Sequence, residues 1–174
     1  NLKNLNQELV TYIVLGSSER LNKVKIPQSN KAEEFIPANF TNKKNTQRDL
    51  DDLISNAKGN IIVLLPPSSF PNKKSKEMLK KISMIDISSW GWFNFDDKKN
   101  DIINNLKRIS SSISSTPNLE QGIFFNKRLY FSVGGIGKLG NSPFKEISKR
   151  FYSRIDPQKP LPALIIRTKK IAIY

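Results

Sequence analysis

Two apolar segments in the first half of the chain are typical of buried β-strands. The first, LVTYIVLG at Leu9–Gly16, is short, rich in β-branched residues and closed by a glycine. The second, NIIVLLPP at Asn60–Pro67, has a continuous apolar centre and ends at two prolines, which cannot donate to a β-ladder. Between them, residues 17–45 are polar and irregular, with a short candidate strand at Val24–Ile26.

Three further extended segments follow in the second half of the chain. One strand is predicted at MIDISSWGWFNFD, where the two tryptophans face one side while Phe93 and Phe95 face the other. A hairpin is predicted at GIFFNKRLYFSV, with its turn near Asn126–Lys127. A last strand is predicted at PALIIRTKKIAIY.

Four segments show apolar residues at helical spacing. They are TQRDLDDLISNAKG, NKKSKEMLKKIS, DDKKNDIINNLKRISSSI and the segment Pro143–Ile155. The apolar stripe of the last helix consists of Phe144, Ile147, Phe151 and Ile155. Each of these helices therefore has one face that can pack against a sheet.

The alternation of helices and strands predicts an α/β or α+β fold, a single layered domain in which about four helices pack on a mixed sheet. A serine-rich segment, SSSISSTPN, separates an α/β portion, residues 1–116, from a basic portion, residues 117–174. The basic portion holds the predicted hairpin, a glycine-rich loop, a helix and the last strand. With 174 residues in all, we expect both portions to form the same compact domain.

The chain contains neither cysteine nor histidine, which excludes several kinds of site. Disulfides, thiolate nucleophiles, a Ser-His-Asp triad and zinc sites built from Cys or His cannot form. Catalysis would need carboxylates, lysine, tyrosine, serine or a hard cation such as Mg²⁺. No apolar run approaches the ~20 residues that span a bilayer, and no signal-peptide pattern is present. We expect a location in the cytoplasm or an organellar matrix, whether or not a targeting segment preceded Asn1.

The positive charge of the chain is large and unevenly distributed. The net charge is +14. Residues 1–120 hold 18 basic and 13 acidic side chains, whereas residues 121–174 hold 11 basic and 2 acidic ones. A merely lysine-rich composition would spread the charge evenly, so this asymmetry favours a basic surface that binds a polyanion such as nucleic acid.

A glycine-rich loop lies within the basic portion. The letters GIGKLG fit the spacing G-x-G-x-x-G, with glycines at Gly135, Gly137 and Gly140 and a cation at Lys138. A predicted strand, Arg128–Val133, precedes the loop, and a predicted helix follows it. Because a helix N-terminus attracts phosphate, these three glycines form a candidate phosphate loop.

The surroundings of this loop leave three interpretations open. No acidic residue that could hold a ribose ends the following strand, where Arg167, Lys169 and Lys170 are found instead. Neither serine nor threonine follows Lys138, so the loop is not a Walker loop. The loop is a plain turn, a contact for a nucleic-acid phosphate, or a site for a small nucleotide.

Basic side chains of residues 121–174 are the candidate nucleic-acid contacts. They are Lys127, Arg128, Lys138, Lys145, Lys149, Arg150, Arg154, Arg167, Lys169 and Lys170. Aromatic residues interleaved with them could stack on bases or belong to the core. These aromatic residues are Phe124, Phe125, Tyr130, Phe131 and Tyr152.

One catalytic arrangement is compatible with the composition. Asp86, followed by Asp96 and Lys98 in D-x-K spacing, could hold Mg²⁺ and orient a water, as in nucleases with a D…(D/E)-x-K core. The alternative is that DDKK only caps the helix that follows, with acidic residues at the positive end of its dipole.

The sequence therefore favours a non-catalytic protein that needs no cofactor and binds nucleic acid, RNA in a ribonucleoprotein setting, through its basic last third. One alternative is a Mg²⁺-dependent nuclease that uses Asp86, Asp96 and Lys98. Another is an assembly factor whose basic face docks on an acidic protein or a membrane surface.

Overall fold

The structure is a computed structural model, and it describes residues 9–39, 46–67, 69–85, 87–95, 117, 121–137, 143–158 and 161–166. The strands are β1 Val10–Gly16, β2 Glu33–Asn39, β3 Ile61–Leu65, β4 Ser69–Pro71, β5 Trp90–Phe95, β6 Ile123–Asn126 and β7 Leu161–Ile166. The helices are α1 Ser18–Asn22, α2 Thr46–Asn56, α3 Lys73–Met84, α4 Lys127–Ser132 and α5 Pro143–Tyr152. Within these ranges, no helix combines the length and the apolar character needed to cross a membrane.

The strands form a mixed sheet in the order β2-β1-β3-β6-β5-β7-β4. Strands β2, β1 and β3 are parallel, and β6 runs antiparallel to both β3 and β5. Strand β5 also pairs in parallel with β7, which pairs with β4 in antiparallel fashion. The prediction of an α/β layered domain with a mixed sheet is therefore confirmed.

Helices cover both faces of the sheet because its central strands alternate two sets of buried side chains. Ile13 and Leu15 of β1 lie in one apolar cluster, and Tyr12 and Val14 lie in the other. The first cluster includes buried residues of α2, α4 and α5, and the second includes Leu79 of α3. The result is a helix, sheet, helix arrangement of three layers.

Strong apolar patterns correctly predict β1, β3, β5, α2, α3 and α5, and the described β7 lies at the start of the predicted last strand. The two sides of β5 are also as expected, with Trp90 and Trp92 in one cluster and Phe93 in the other. The helix predicted at DDKKNDIINNLKRISSSI and the serine-rich segment lie outside the described residues.

The reading of residues 17–45 as irregular is wrong. This range holds α1 and the parallel edge strand β2, while Val24–Ile26 is not a strand. The letters of β2, EEFIPAN, include Pro37 and two glutamates, which conceal a strand from pattern analysis. An edge strand tolerates proline because one row of its backbone groups has no partner in the sheet.

The predicted hairpin at GIFFNKRLYFSV is also wrong. Strand β6 ends at Asn126, and helix α4 begins at the next residue. The side chain of Asn126 accepts a hydrogen bond from the backbone N–H of Leu129 at 3.3 Å, so Asn126 caps the helix. Leu129 and Tyr130 then turn inward together and are buried. The expected strand Arg128–Val133 is therefore a helix and a turn.

Candidate nucleic-acid interface

The described part of the glycine-rich loop ends helix α4. Gly134 and Gly135 have positive φ angles of 82° and 80°, a backbone conformation that glycine adopts readily. The N–H of Gly134 donates to the carbonyl of Phe131, and the N–H of Gly135 donates to that of Tyr130. This is the usual termination of a helix by glycine, and the strand required before a dinucleotide loop is missing at this position.

A hydrogen-bond network holds Ile136, the residue that follows Gly135 in the loop. The hydroxyl of Tyr130 donates to the carboxylate of Asp51 on α2 and accepts the N–H of Ile136 at 3.1 Å. A Cβ at Gly135 would lie only 2.7 Å from Oδ1 of Asp51, so no larger residue fits there without displacement. The N–H groups of Gly134, Gly135 and Ile136 all have partners within the protein, which supports the turn interpretation for this part of the loop.

Arg150 of α5 closes over the same loop. Its Nη1 donates to the carbonyl oxygens of Val133, Gly134 and Gly135 at 3.3, 3.3 and 3.2 Å. Its Nε lies 3.5 Å from a carboxylate oxygen of Glu146. The structure therefore gives this half-buried arginine an architectural role, in addition to any contact it makes with nucleic acid.

Burial raises the pKa of Tyr130, and the nearby carboxylate of Asp51 raises it further. Burial also raises the pKa of Tyr12, with a smaller contribution from Glu33. Above the ordinary tyrosine pKa of about 10, the unfolded chain loses these protons while the folded chain keeps them. The free energy of unfolding is therefore unaffected by these two groups below about pH 10 and falls above it, by about 1.4 kcal/mol per pH unit for each tyrosine.

Urea unfolding at a series of pH values between about 8 and 11.5 tests this prediction. This pH range lies on both sides of the ordinary tyrosine pKa of about 10. Tyr130→Phe should reduce the steepness of the alkaline decline relative to the wild type, whatever its effect at neutral pH. Equal steepness in the two proteins would contradict the role given to Tyr130.

Lys127, like Arg150, donates hydrogen bonds to backbone carbonyls of the protein. Its Nζ donates to the carbonyl oxygen of Ala57 at 2.7 Å, and its backbone N–H donates to the carbonyl of Asn60 at 2.8 Å. Burial lowers the pKa of this lysine, and Glu34 partly opposes that effect. Lys127 thus joins the start of α4 to the connection between α2 and β3.

The other described candidates are exposed. Arg154 is placed beside the end of α4, because its Nη2 donates to the carbonyl of Ser132 at 3.4 Å. Arg128 is exposed on α4 itself. Lys145 and Lys149 are exposed on another side of α5, since 100° of helical rotation separates Lys149 from Arg150.

Among the five interleaved aromatic residues, Phe131 differs from the rest. Phe124, Phe125 and Tyr130 are fully buried, and Tyr152 is half-buried with its ring 4.9 Å from that of Trp90. Phe131 is 44% exposed. In helix α4, which begins at Lys127, Tyr130 faces inward and the next residue faces outward.

Arg128, Phe131 and Arg154 together form what we call the α4–α5 face. Arg128 and Phe131 are one helical turn apart on α4, a spacing that brings side chains side by side. Arg154 contacts the residue that follows Phe131. The ring of Phe131 rests edge to face on that of Tyr130, with centroids 5.2 Å apart, so its orientation is fixed by a buried neighbour.

Several candidates lie outside the described residues. They are Asp86, Asp96, Lys98, Lys138, Gly140, Arg167, Lys169 and Lys170. In the ranges that the structure does describe, no three carboxylates come together as a potential metal site. The nuclease alternative and the contribution of Lys138 therefore stay predictions.

No protein-family model matches the chain, and no curated protein is significantly similar to it.

Proposed function

We propose that the protein binds single-stranded nucleic acid, with RNA as its ligand, through the α4–α5 face and without catalysis. The observation that carries this proposal is the exposed ring of Phe131, one helical turn from Arg128 and next to Ser132, whose carbonyl accepts from Arg154. Aromatic rings stack on the bases of a single strand, and flanking cations hold its phosphates. Both kinds of contact are independent of base sequence, so this face by itself binds without strong sequence preference.

The exposure of Phe131 supports a stacking role because the other candidate rings are used in the core. A base placed on this ring would cover apolar surface that is otherwise in contact with water. Its ring is also held in place by Tyr130, so little side-chain freedom would be lost on binding.

The charge around the ring supports the same ligand. The segment of residues 121–174 has a net charge of +9, from 11 basic and 2 acidic side chains. Guanidinium groups such as those of Arg128 and Arg154 bind phosphates in a fork and also stack on bases. A negatively charged strand is therefore attracted to this side of the domain.

Phe131→Ala should weaken the binding of a 12-nucleotide RNA by about fivefold to a hundredfold, because stacking of one base contributes about 1–3 kcal/mol. Phe131→Trp should bind as well as the wild type, whereas Phe131→Leu, which keeps an apolar side chain, should bind as weakly as Phe131→Ala. Fluorescence anisotropy at low salt measures all four proteins with RNA and with DNA of the same sequence. Equal affinity of Phe131→Ala and wild type would exclude the stacking role.

The salt dependence of the same binding separates the α4–α5 face from other exposed cations. Each phosphate contact with a single strand contributes about 0.7 to the slope of log affinity against log salt concentration. Arg154→Ala should make this slope shallower by about one contact, while Lys149→Ala, at an exposed cation outside the α4–α5 face, should change it less. Failure of the wild type to bind RNA or DNA at low salt would refute the proposal and leave the basic surface to an acidic protein or a membrane.

A further inference from the structure

A cavity of about 220 Å³ opens next to the α4–α5 face. It lies at the end of the sheet where β3 begins and β6 ends, between the end of α3 and the start of α4. Its lining includes three polar side chains, Asn60, Lys127 and Arg128, and three apolar ones, Ile61, Met84 and Ile85. Because Arg128 belongs both to this cavity and to the α4–α5 face, the two sites are continuous.

Two polar side chains of the cavity, those of Lys127 and Asn60, can make further hydrogen bonds. Lys127 uses one of its three N–H groups on the carbonyl of Ala57. The side-chain amide of Asn60 makes no hydrogen bond to the described part of the chain, although it lines the cavity. An amide of this kind presents a donor and an acceptor side by side.

Two other polar residues of the lining are already engaged. The amide of Asn126 donates to the carbonyl of Ile87 and accepts from the N–H of Leu129, and the hydroxyl of Ser83 donates to the carbonyl of Lys80. Hydrogen bonds to the edge of a ligand therefore come from Asn60 and Lys127.

Two of the three apolar residues of the lining are open to solvent. Met84 is 50% exposed and Ile85 is 55% exposed, and the two adjoin each other at the end of α3. Exposed apolar surface of this kind suits the face of an aromatic ring, which would remove it from water. The volume is smaller than the roughly 300–1,000 Å³ of sites for drug-sized ligands, and it suits one ring system.

We propose that this cavity receives one unstacked base of the nucleic acid whose neighbouring base stacks on Phe131. The inference rests on the proposed function. Arg128 would hold the phosphate between the two bases, since it adjoins both sites. Asn60 would read the edge of the inserted base, and Ile85 would contact its face. Single-stranded RNA is commonly recognised in this way, by splayed bases whose edges meet side-chain amides.

Binding of 12-nucleotide homopolymers of A, C and U, and of an abasic strand of the same length, tests this inference by fluorescence anisotropy. We expect the affinity of the wild type for the three homopolymers to differ by about fivefold or more, because an amide that makes two hydrogen bonds to the edge of one base discriminates against the others by about this much. Asn60→Ala should reduce this discrimination to less than about twofold. Asn56→Ala, at an exposed asparagine that does not line the cavity, is its matched control and should behave as the wild type.

A second pair of variants tests the contact with the face of the base. Ile85→Ala should weaken binding of all three homopolymers by about threefold and leave binding of the abasic strand unchanged. Ile87→Ala is the control, because Ile87 is 61% exposed and does not line the cavity. All four substituted side chains are on the surface, so melting temperatures should match that of the wild type.

The outcomes separate the two proposals. If the wild type binds RNA and Phe131→Ala weakens that binding, but Asn60→Ala and Ile85→Ala bind every strand as the wild type does, the base site is refuted and the proposed function stands. The apolar rim of the cavity would then belong to a contact with a protein. If the wild type binds no RNA, both proposals fail.

Discussion

Phe151→Ala lowers the free energy of unfolding by about 3–5 kcal/mol, the largest effect we expect from a core substitution outside the central strands. Phe151 of α5 is fully buried. Its ring lies 5.3 Å from that of Trp90 and 5.4 Å from that of Phe125, measured between centroids. Alanine would leave a cavity between the helix layer and two strands, since packed neighbours relax only in part. Urea unfolding measures the difference.

Phe131→Ala is the matched control for this prediction. It removes the same atoms from the same layer of helices, but from a ring that is largely exposed, so the change should stay below about 1 kcal/mol. Equal losses for the two variants would mean that burial does not distinguish these rings. A small loss for Phe151→Ala alone would show that α5 does not pack on the sheet as described.

Gly59→Ala should destabilise the fold by about 3 kcal/mol, because a Cβ at this position meets backbone atoms. It would lie 2.7 Å from the carbonyl oxygen of Leu9 and 2.7 Å from the backbone nitrogen of Thr11. The N–H of Gly59 also donates to the buried hydroxyl of Thr11 at 2.9 Å. Strand β1 cannot move away without weakening its pairing with β3, so the strain has no easy release.

Lys58→Ala provides the comparison, since this adjacent residue is exposed and its backbone contact with Glu34 would be kept. We expect a change within about 0.5 kcal/mol for it. Thermal unfolding followed by circular dichroism measures both variants. A Gly59→Ala protein as stable as Lys58→Ala would show that β1 and the connection to β3 do not approach so closely.

The parts of the fold that the sequence predicts are those with a strong local pattern. Strand β3 is apolar at every position, and α5 repeats its apolar residues at helical spacing. Strand β2 and helix α4 depend on partners far along the chain. The first is held by pairing with β1, and the second by burial of Leu129 and Tyr130 against the sheet, which no local window contains.

In the candidate site, too, the sequence shows local features but not those that depend on distant parts of the chain. Counting charges shows where basic residues are concentrated along the chain, but it cannot separate surface cations from those that the fold uses as hydrogen-bond donors. Arg150 contacts three carbonyls and Lys127 contacts one, and these acceptors are provided by the fold. The exposure of Phe131 could not be predicted, because a strand and a helix both turn it away from Tyr130, and the local sequence does not show which of the two rings packs against the sheet.

The hydrogen bonds from Arg150 and Arg154 to the end of α4 have a consequence for binding kinetics. They join α5 and the segment just after it to the end of α4, so Arg154 is already held beside the helix that carries Phe131 before any ligand arrives. A ligand that meets such a preorganised pair loses little conformational entropy of the protein. Association should then occur in one step at a rate set by electrostatic attraction, and variants of the face should differ mainly in how fast the strand dissociates.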